Sequence, residues 1–140
     1  MPGTYSTMLD LGTTLPSFSL PNIDGKTVTS GDFGRSKGLL VAFWCGHCPF
    51  VQHIRVEFAR LAKDFQQLGG AVVAINSNDV AVAPDDGPDG MVQEAREVGY
   101  TFPYLFDGTQ EVAKAFRAAC TPDLFLFDGA QQLVYRGQFD

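Results

Sequence analysis

The chain has 140 residues, of which 45% are hydrophobic and 19% charged, and its formal net charge is −6 with a pI near 4.7. This length fits one domain over residues 1–140, because two smaller units would be too short to bury good cores. The deficit of Lys and Arg argues against binding to nucleic acid or to an anionic membrane surface. No stretch has the roughly 20 apolar residues of a membrane-spanning helix.

The start of the chain is predicted to be a flexible lead-in over residues 1–12. Its first ten residues have neither a basic start nor an apolar run, so they do not resemble a secretory signal, and we expect a cytoplasmic protein. Three cysteines are too few for a disulfide scaffold. In a reducing compartment, a close pair of cysteines is more often catalytic or metal-binding than structural.

The first structured part of the chain is predicted to be a β-hairpin. Residues 18–20 and 27–29 are short extended segments, and Asp24-Gly25 between them is a strong turn signal. The apolar run at residues 38–44 is continuous, which is typical of a strand buried on both faces of a sheet.

A long amphipathic helix is predicted after this strand. Apolar residues recur at helical spacing from Phe50 to Leu68, and the opposite stripe is polar: His53, Glu57, Arg60 and Asp64. Pro49 suits the first turn, and the glycines at positions 69 and 70 end the helix. Residues 71–75 form a second buried strand, so strand, helix and strand predict parallel pairing with a right-handed crossover.

The second half of the chain alternates loops, short helices and short strands. Residues 76–90 are rich in Asn, Asp, Pro and Gly and predict a long surface loop. Helices are predicted over residues 91–98 and 109–118, with a short strand at 102–106 between them. Residues 124–127 and 133–136 are predicted to form a terminal hairpin turned at Asp128-Gly129.

These elements predict an α/β fold with a central mixed sheet flanked by helices. The chain ends four residues after the last predicted strand, so we expect the helix that usually closes such a sheet to be absent. Either a continuation of the chain or a partner would then cover that face. The sequence does not determine the oligomeric state.

The candidate functional residues lie between the first buried strand and the long helix, in the order Cys45, Gly46, His47 and Cys48. Two thiols separated by two residues can form a small disulfide ring at the start of a helix. The helix N-terminus presents unpaired N–H groups and a partial positive charge, which stabilise a thiolate. This lowers the pKa of the outer cysteine from about 8.5 towards neutrality or below. We therefore predict Cys45 as the exposed nucleophile and Cys48 as the resolving thiol.

Two neighbours are predicted to influence this pair. His47 can donate a hydrogen bond or a positive charge to the thiolate, and stabilising the reduced form makes the disulfide a stronger oxidant. Trp44 either forms a wall beside the site or fills the core, and the sequence leaves both alternatives open.

The segment Trp44–Cys48 resembles the active-site motif of protein disulfide isomerase domains. The chain as a whole is similar to the thioredoxin-like branch of the alkyl hydroperoxide reductase/thiol-specific antioxidant family, which is peroxiredoxin-like. The features that match lie in residues 15–20, 24–26, 45–54, 121–123 and 125–128. The resemblance implies a thioredoxin fold in which Thr121-Pro122 has a cis peptide bond and faces the cysteines.

The same resemblance implies a thiol–disulfide oxidoreductase that needs no cofactor. Its substrates would be protein or small-molecule disulfides, and a thiol reductant or reductase would recycle it. Substrate would be bound by residues around the pair: Trp44, Gly46, Thr121 and Pro122.

Two departures from thioredoxins stand out. Thioredoxins usually have a few residues between the strand and the Trp-Cys pair, but here Phe43-Trp44 runs straight into Cys45. Many also carry a buried acid in that strand that accepts a proton, and residues 39–44 contain none. The proton acceptor for Cys48 therefore stays open between His47, Glu57 and water.

A thiol peroxidase is the first alternative function. In peroxiredoxins, Pro follows the attacking cysteine and Thr or Ser precedes it by three residues. Cys48-Pro49 fits the first feature, but Cys45 stands where the hydroxyl belongs. The Arg that would polarise a peroxide is also missing from the neighbourhood of Pro122.

The remaining thiol and the histidines raise two further alternatives. Cys120, two residues before Pro122, is either a buried small hydrophobe or an accessory thiol for the pair. A metal carrier would use Cys45, His47, Cys48 and His53, which suit zinc or copper(I). A structural zinc site usually needs a second ligand pair, and none follows downstream, so we expect no metal.

Overall fold

The computed structural model describes residues 9–44, 49–77, 87–118 and 123–137. Its strands and helices follow one another in this order: β1 Ser19–Pro21, β2 Thr27–Thr29, β3 Gly38–Phe43, α1 Pro49–Gln67, β4 Ala71–Asn76, α2 Pro88–Val98, β5 Tyr104–Phe106, α3 Glu111–Phe116, β6 Asp123–Asp128 and β7 Leu133–Gly137. A short 3-10 helix, Ser30–Phe33, follows β2. The predicted types of these elements are confirmed, and the differences lie at their ends.

The main sheet has five strands in the order β5-β4-β3-β6-β7. β3 pairs in parallel with β4, and β4 with β5, whereas β6 and β7 are antiparallel to their neighbours. The predicted mixed sheet is therefore confirmed. All six residues of the central strand β3 are buried, as its continuous apolar run predicts for a strand with both faces covered.

The β1–β2 hairpin forms a separate two-stranded sheet. Gly25 adopts φ +87 in the turn, the left-handed region that glycine enters without steric cost. The hairpin is attached to the main sheet through Asn22, whose side-chain oxygen accepts a hydrogen bond from the backbone N–H of Tyr104 at 2.8 Å. The predicted N-terminal hairpin is confirmed.

Two hydrophobic cores cover the two faces of the main sheet. The first core packs α1 and α2 on the sheet, and Phe58 and Met91 lie within it. The second core contains α3 and the N-terminal segment, with Phe116 at its centre. The Phe116 ring contacts those of Phe43 and Phe125, with centroid separations of 5.1 and 5.4 Å. Such edge-to-face contacts add to the free energy gained from burial.

Helix α1 presents the amphipathic pattern that its sequence predicts, with one exception. Its inner stripe consists of buried residues spaced three or four positions apart: Val51, Ile54, Phe58 and Ala62. The polar stripe is exposed, as predicted. Leu61 and Leu68, however, which the periodicity assigned to the apolar face, are 42% and 74% exposed. The apolar stripe is wider than the contact with the sheet, so its margin stays in solvent.

The ends of several elements differ from the prediction. Helix α2 begins at Pro88, so residues 88–90 belong to a helix rather than to the predicted loop, because proline fits the first helical turn. Helix α3 is limited to Glu111–Phe116, since Gln110 and Arg117 have positive φ values of 65° and 55° at its two ends. At the other end of the predicted loop, Asn76 belongs to β4, which is one residue longer than predicted. Residues 78–86 of the predicted loop lie outside the described residues.

The predicted lead-in is described only from residue 9 onwards. Leu9 is buried in the second core, and the backbone N–H of Gly12 donates to the carbonyl of Leu133 at 2.7 Å. The end of this segment is therefore attached to the fold. In the described ranges, no helix combines the length and the apolar character needed to cross a membrane.

Candidate functional site

The predicted redox motif lies outside the described residues, and so do the other chemically important positions: Cys45, Gly46, His47, Cys48, Cys120, Thr121 and Pro122. The residues on both sides of the motif are described. β3 ends at Phe43, Trp44 follows, and α1 begins at Pro49. The motif therefore joins a buried central strand to a 19-residue helix. This is the chain order that the sequence predicts.

The carboxyl ends of the parallel strands β3, β4 and β5 lie at one edge of the sheet, as in all parallel arrangements. We call this the carboxyl edge and define it by Trp44 after β3, Asn76 and Ser77 at the end of β4, and Asp107 after β5. The motif follows Trp44 directly in the chain. Polar side chains from the ends of β4 and β5 therefore lie at the same edge of the sheet as Trp44, the last described residue before the motif.

Trp44 is the described residue nearest to the motif, and it has no exposed surface. Its backbone N–H donates to the carbonyl of Ile75 at 2.9 Å, which extends the pairing between β3 and β4 by one residue. Its indole packs on Phe58, with ring centroids 4.5 Å apart. Of the two alternatives for Trp44, this burial favours the core-filling role over an exposed wall.

The indole N–H of Trp44 is hydrogen-bonded to a buried carboxylate. Nε1 donates to Glu94 Oε2 at 3.0 Å and is 3.1 Å from the hydroxyl of Tyr100. Glu94 lies on α2 and is 7% exposed. The hydroxyl of Tyr100 also donates to Oε2, and the hydroxyl of Tyr104 donates to Oε1 at 2.8 Å. We call Trp44, Glu94, Tyr100 and Tyr104 the Glu94 cluster.

Hydrogen bonding explains how a carboxylate is accommodated in this core. An ionised carboxylate only accepts hydrogen bonds, and all three of these neighbours donate to it. A carboxylate buried without such donors would cost several kcal/mol. Bonds to a charged acceptor are also stronger than neutral ones, so the cluster links α2 to the end of β3 and to β5.

Within this cluster, the hydroxyl of Tyr100 has a strongly raised pKa. Burial raises its pKa well above the usual value, and the negative charge of Glu94 and the hydrogen bond to it raise the pKa further. The bond from Trp44 and the positive charge of Arg55 act in the opposite direction. Tyr100 is therefore a neutral hydrogen-bond donor at all physiological pH values.

Sequence analysis assigned no role to Glu94. A signal was nevertheless present, because Glu94 follows Met91 by three residues and so lies on the same face of a predicted helix. A glutamate on the apolar face of an amphipathic helix is rarely buried unless it has partners. Its hydrogen-bond partners are Trp44, Tyr100 and Tyr104, which lie outside α2. The periodicity of the helix sequence therefore could not reveal them.

A second buried carboxylate, Asp107, lies farther along the carboxyl edge. Its Oδ2 accepts hydrogen bonds from Ser77 Oγ at 2.8 Å and from the backbone N–H of Ala113 at 3.0 Å. Its own backbone N–H donates to the carbonyl of Asn76 at 2.8 Å. Asp107 therefore ties the ends of β4 and β5 to the first turn of α3. Its bonds define a structural role separate from the Glu94 cluster.

Glu57, one of the candidate proton acceptors, lies on the outer side of α1. Its side chain is 64% exposed and pairs with Arg60 at 3.3 Å. The Glu57 carboxylate is therefore solvent-exposed and paired with Arg60, and the proton acceptor for Cys48 stays a prediction. His53 is also exposed on α1, as its place in the polar stripe predicts. In the described ranges, no three His, Cys, Asp or Glu side chains cluster as metal ligands.

Comparison with known proteins connects this fold to redox families. Residues 11–136 match the model of the AhpC/TSA family. The chain is 26% identical over 125 residues to "Thiol-disulfide oxidoreductase ResA" of Geobacillus thermodenitrificans, covering 89% of this chain and 67% of the relative. It is 30% identical over 116 residues to "Putative peroxiredoxin Rv2521" of Mycobacterium tuberculosis, covering 82% of this chain and 68% of the relative.

Solved structures share the architecture. An uncharacterized conserved protein from Geobacillus kaustophilus superposes with a TM-score of 0.92 at 49% identity, covering 95% of this chain and 71% of that protein. The thioredoxin domain of a thiol-disulfide oxidoreductase from Bacteroides vulgatus superposes with a TM-score of 0.75 at 16% identity, covering 91% of this chain and 88% of that domain. The second likeness concerns the fold alone, and it identifies the fold as that of thioredoxin.

Proposed function

The chain belongs to the AhpC/TSA family and is an oxidoreductase with a thioredoxin fold, and we propose that it catalyses thiol–disulfide exchange through Cys45 and Cys48. The observation that carries the proposal is the position of this Cys-x-x-Cys pair. It lies between the central buried strand and the first turn of a long helix, in a chain whose relatives include a thiol-disulfide oxidoreductase.

The proposed reaction transfers two electrons from the protein dithiol to a disulfide. The Cys45 thiolate attacks one sulfur of the substrate, the substrate S–S bond breaks, and the departing sulfur leaves as a thiolate that takes up a proton. The Cys48 thiolate then attacks the Cys45 sulfur of this mixed disulfide. The second substrate sulfur departs as a thiol, and the Cys45–Cys48 disulfide remains. A thiol reductant or reductase returns the pair to the dithiol state.

The remaining predicted site residues have supporting roles in this proposal. His47 stabilises the Cys45 thiolate, while Gly46, Thr121 and Pro122 contact the substrate. Trp44 supports the start of the motif from within the core, since its side chain has no exposed surface. The substrates are protein or small-molecule disulfides.

Two cysteine variants test the order of attack. Cys45→Ser should lose disulfide reduction altogether, because the attacking sulfur is gone. Cys48→Ser should accumulate the mixed disulfide, which can be trapped and identified by mass spectrometry. Exchange activity in Cys45→Ser together with loss in Cys48→Ser would reverse the assignment. The Cys120→Ser variant determines whether the third thiol takes part.

The reduction potential of the pair tests the direction of the reaction. It is measured by equilibration in glutathione buffers followed by thiol trapping. A value near about −270 mV, as in thioredoxin, indicates a reductase, and a value near about −180 mV indicates an oxidant or isomerase. If no Cys45–Cys48 disulfide forms at any ratio of glutathione to its disulfide, the proposal fails.

A thiol peroxidase acting through Cys48 is the second candidate, and the 30% identical mycobacterial relative is the observation that favours it. With a thiol reductant in excess, the protein should then consume hydrogen peroxide catalytically: the Cys48 thiolate is oxidised to a sulfenic acid with release of water, and the reductant, itself oxidised to a disulfide, returns the thiol with release of a second water. Stoichiometric, slow oxidation would exclude this activity. The Cys48→Ser variant is the control for peroxide consumption by the other thiols.

A further inference from the structure

We propose that Glu94 is a positioning residue for the redox pair: through its hydrogen bond to Trp44 it holds the residue that precedes Cys45, and its buried negative charge makes the pair more reducing. This inference rests on the proposed function, since it assigns a determinant of that site's reduction potential. It concerns a residue of α2, 50 positions away from Trp44 in the chain.

Trp44 lies directly before Cys45 in the chain. Adjacent Cα atoms are about 3.8 Å apart, so Cys45 begins within one residue of a side chain that is fixed on three sides. The backbone of Trp44 is bonded to Ile75, its ring packs on Phe58, and its N–H is bonded to Glu94. Glu94 supplies the only one of these three anchors that comes from outside the β3–α1–β4 unit.

The negative charge of Glu94 also bears on the redox pair. The carboxylate is 7% exposed, so solvent screens its field poorly, and the three donors around it match the ionised form. Glu94 contacts the side chain of Trp44, the residue directly before Cys45, and a negative charge near a thiol disfavours the thiolate. The reduced, thiolate-containing state is thereby made less stable relative to the disulfide, and the disulfide becomes a weaker oxidant.

The hydrogen bonds of Glu94 differ from those of Asp107, the buried carboxylate at the carboxyl edge. Asp107 is also almost fully buried, but it bonds to Ser77 and to α3 and has no bond to Trp44. Asp107→Asn is therefore the matched control: it replaces a buried carboxylate with an amide without touching the Glu94 cluster.

The test compares the reduction potentials of the full-length wild type, Glu94→Gln and Asp107→Asn in glutathione buffers. Glu94→Gln keeps the shape of the side chain and removes its charge. We expect its equilibrium with glutathione to move about tenfold towards the reduced protein, a rise of about 30 mV. A shift of less than threefold relative to Asp107→Asn, or a shift towards the oxidised protein, overturns the inference. A purely structural role would lower the unfolding free energy without moving the potential.

A double-mutant cycle with Trp44→Phe tests whether the effect runs through the indole. Phe keeps an aromatic ring and removes the N–H that Glu94 accepts. We expect the shift caused by Glu94→Gln to fall by at least half in the Trp44→Phe background, because without the indole N–H the carboxylate loses the bond that holds it beside the residue before Cys45. A shift that persists in full overturns the positioning role. Glu94→Asp, which keeps the charge, should stay within threefold of the wild type.

Two controls keep the result interpretable. Trp44 is the protein's single tryptophan, so its fluorescence reports whether each variant that keeps Trp44 retains a buried indole, and circular dichroism reports on the folding of the Trp44→Phe variants. If Glu94→Gln does not fold, Trp44→Phe alone replaces it, and an equilibrium constant within threefold of the wild type overturns the inference. If the wild type forms no Cys45–Cys48 disulfide, the proposed function has failed. A wild type with a measurable potential that Glu94→Gln leaves unchanged means that only this inference has failed.

Discussion

At the scale of single residues, the Glu94 cluster illustrates how hydrogen bonds decide the state of a titratable group. Tyr100 donates its proton to Glu94 and lies half-buried among aromatic rings, stacked on Phe102 at 4.7 Å. Ionising Tyr100 would place a second negative charge beside Glu94 and remove one of its donors. Both the burial and the neighbouring charge therefore favour the neutral phenol.

The raised pKa of Tyr100 predicts a specific alkaline loss of stability. An unfolded tyrosine ionises near about pH 10, whereas folded Tyr100 keeps its proton well above that pH. The stability that this proton contributes is fully present below about pH 10. It is lost as the pH rises from there towards the folded pKa, by up to about 1.4 kcal/mol per pH unit.

The Tyr100→Phe variant should show a shallower alkaline loss of stability than the wild type, because it has no proton to release at this position. Urea unfolding at about pH 8, about pH 10 and about pH 11 measures the difference. Tyr135→Phe is the control, because it removes an exposed phenol. It measures how far the loss of a solvent-exposed tyrosine alters the alkaline change in unfolding free energy. Equal slopes for Tyr100→Phe and the wild type would contradict the raised pKa.

At the scale of elements, helix α1 is followed by a close approach between the backbone of Gly70 and the ring of Phe65. Gly70 begins the return to β4, and its N–H donates to the carbonyl of Phe65 at 3.1 Å. A Cβ at Gly70 would lie only 2.3 Å from the ring of Phe65. The glycine at this position is therefore required by space, which goes beyond its predicted role in ending the helix.

We expect Gly70→Ala to lower the free energy of unfolding by about 1–3 kcal/mol, because the Phe65 ring must move out of its packed position. Gly34→Ala is the matched control, since its nearest contact would be an ordinary 3.5 Å. That control should be neutral or stabilising by up to about 1 kcal/mol through loss of unfolded-state entropy. Both free energies are obtained from the midpoints of urea unfolding curves, provided that the denaturant slope is unchanged. Equal midpoints for Gly70→Ala and Gly34→Ala would refute the steric argument.

The elements themselves were predictable because local chemistry determines them. β3 has a continuous apolar run, α1 has a 3.6-residue period, and Asp24-Gly25 is a turn signal, and each holds in the structure. The ends of α3 were missed because Gln110 and Arg117 adopt the left-handed region without a glycine to mark it. Such positions are set by tertiary contacts, which a local pattern does not contain.

The candidate site was predictable only in part, for the same physical reason. Thiol spacing and the strand–helix context predict a redox pair at Cys45 and Cys48 from neighbouring residues alone, and both lie outside the described residues. Glu94 acts through partners that lie 6, 10 and 50 positions away, and they meet only when α2 packs on the sheet. Residues 39–44 contain no acid, and the buried acid bonded to Trp44 comes instead from α2.

At the scale of the whole molecule, the sheet separates two cores that share its strands. Phe58 of α1 lies in one core and Phe116 of α3 in the other, and neither has exposed surface. Alternate residues of β3 contribute to both cores, with Leu40 and Ala42 on one side and Leu39 and Val41 on the other. Loss of packing on one face should therefore destabilise the other face as well.

We predict that Phe58→Ala and Phe116→Ala each lower the free energy of unfolding by about 3–5 kcal/mol, through lost burial and the cavity that remains. Because both cores are built on the same strands, each variant should still unfold in one transition with the urea slope of the wild type. Far-ultraviolet circular dichroism and Trp44 fluorescence should give coincident curves, although Trp44 lies in the first core only. If Phe116→Ala shifted the circular dichroism curve and left the fluorescence curve in place, the two cores would be independent units. Coincident shifts in both variants would support the single domain that the length of the chain predicts.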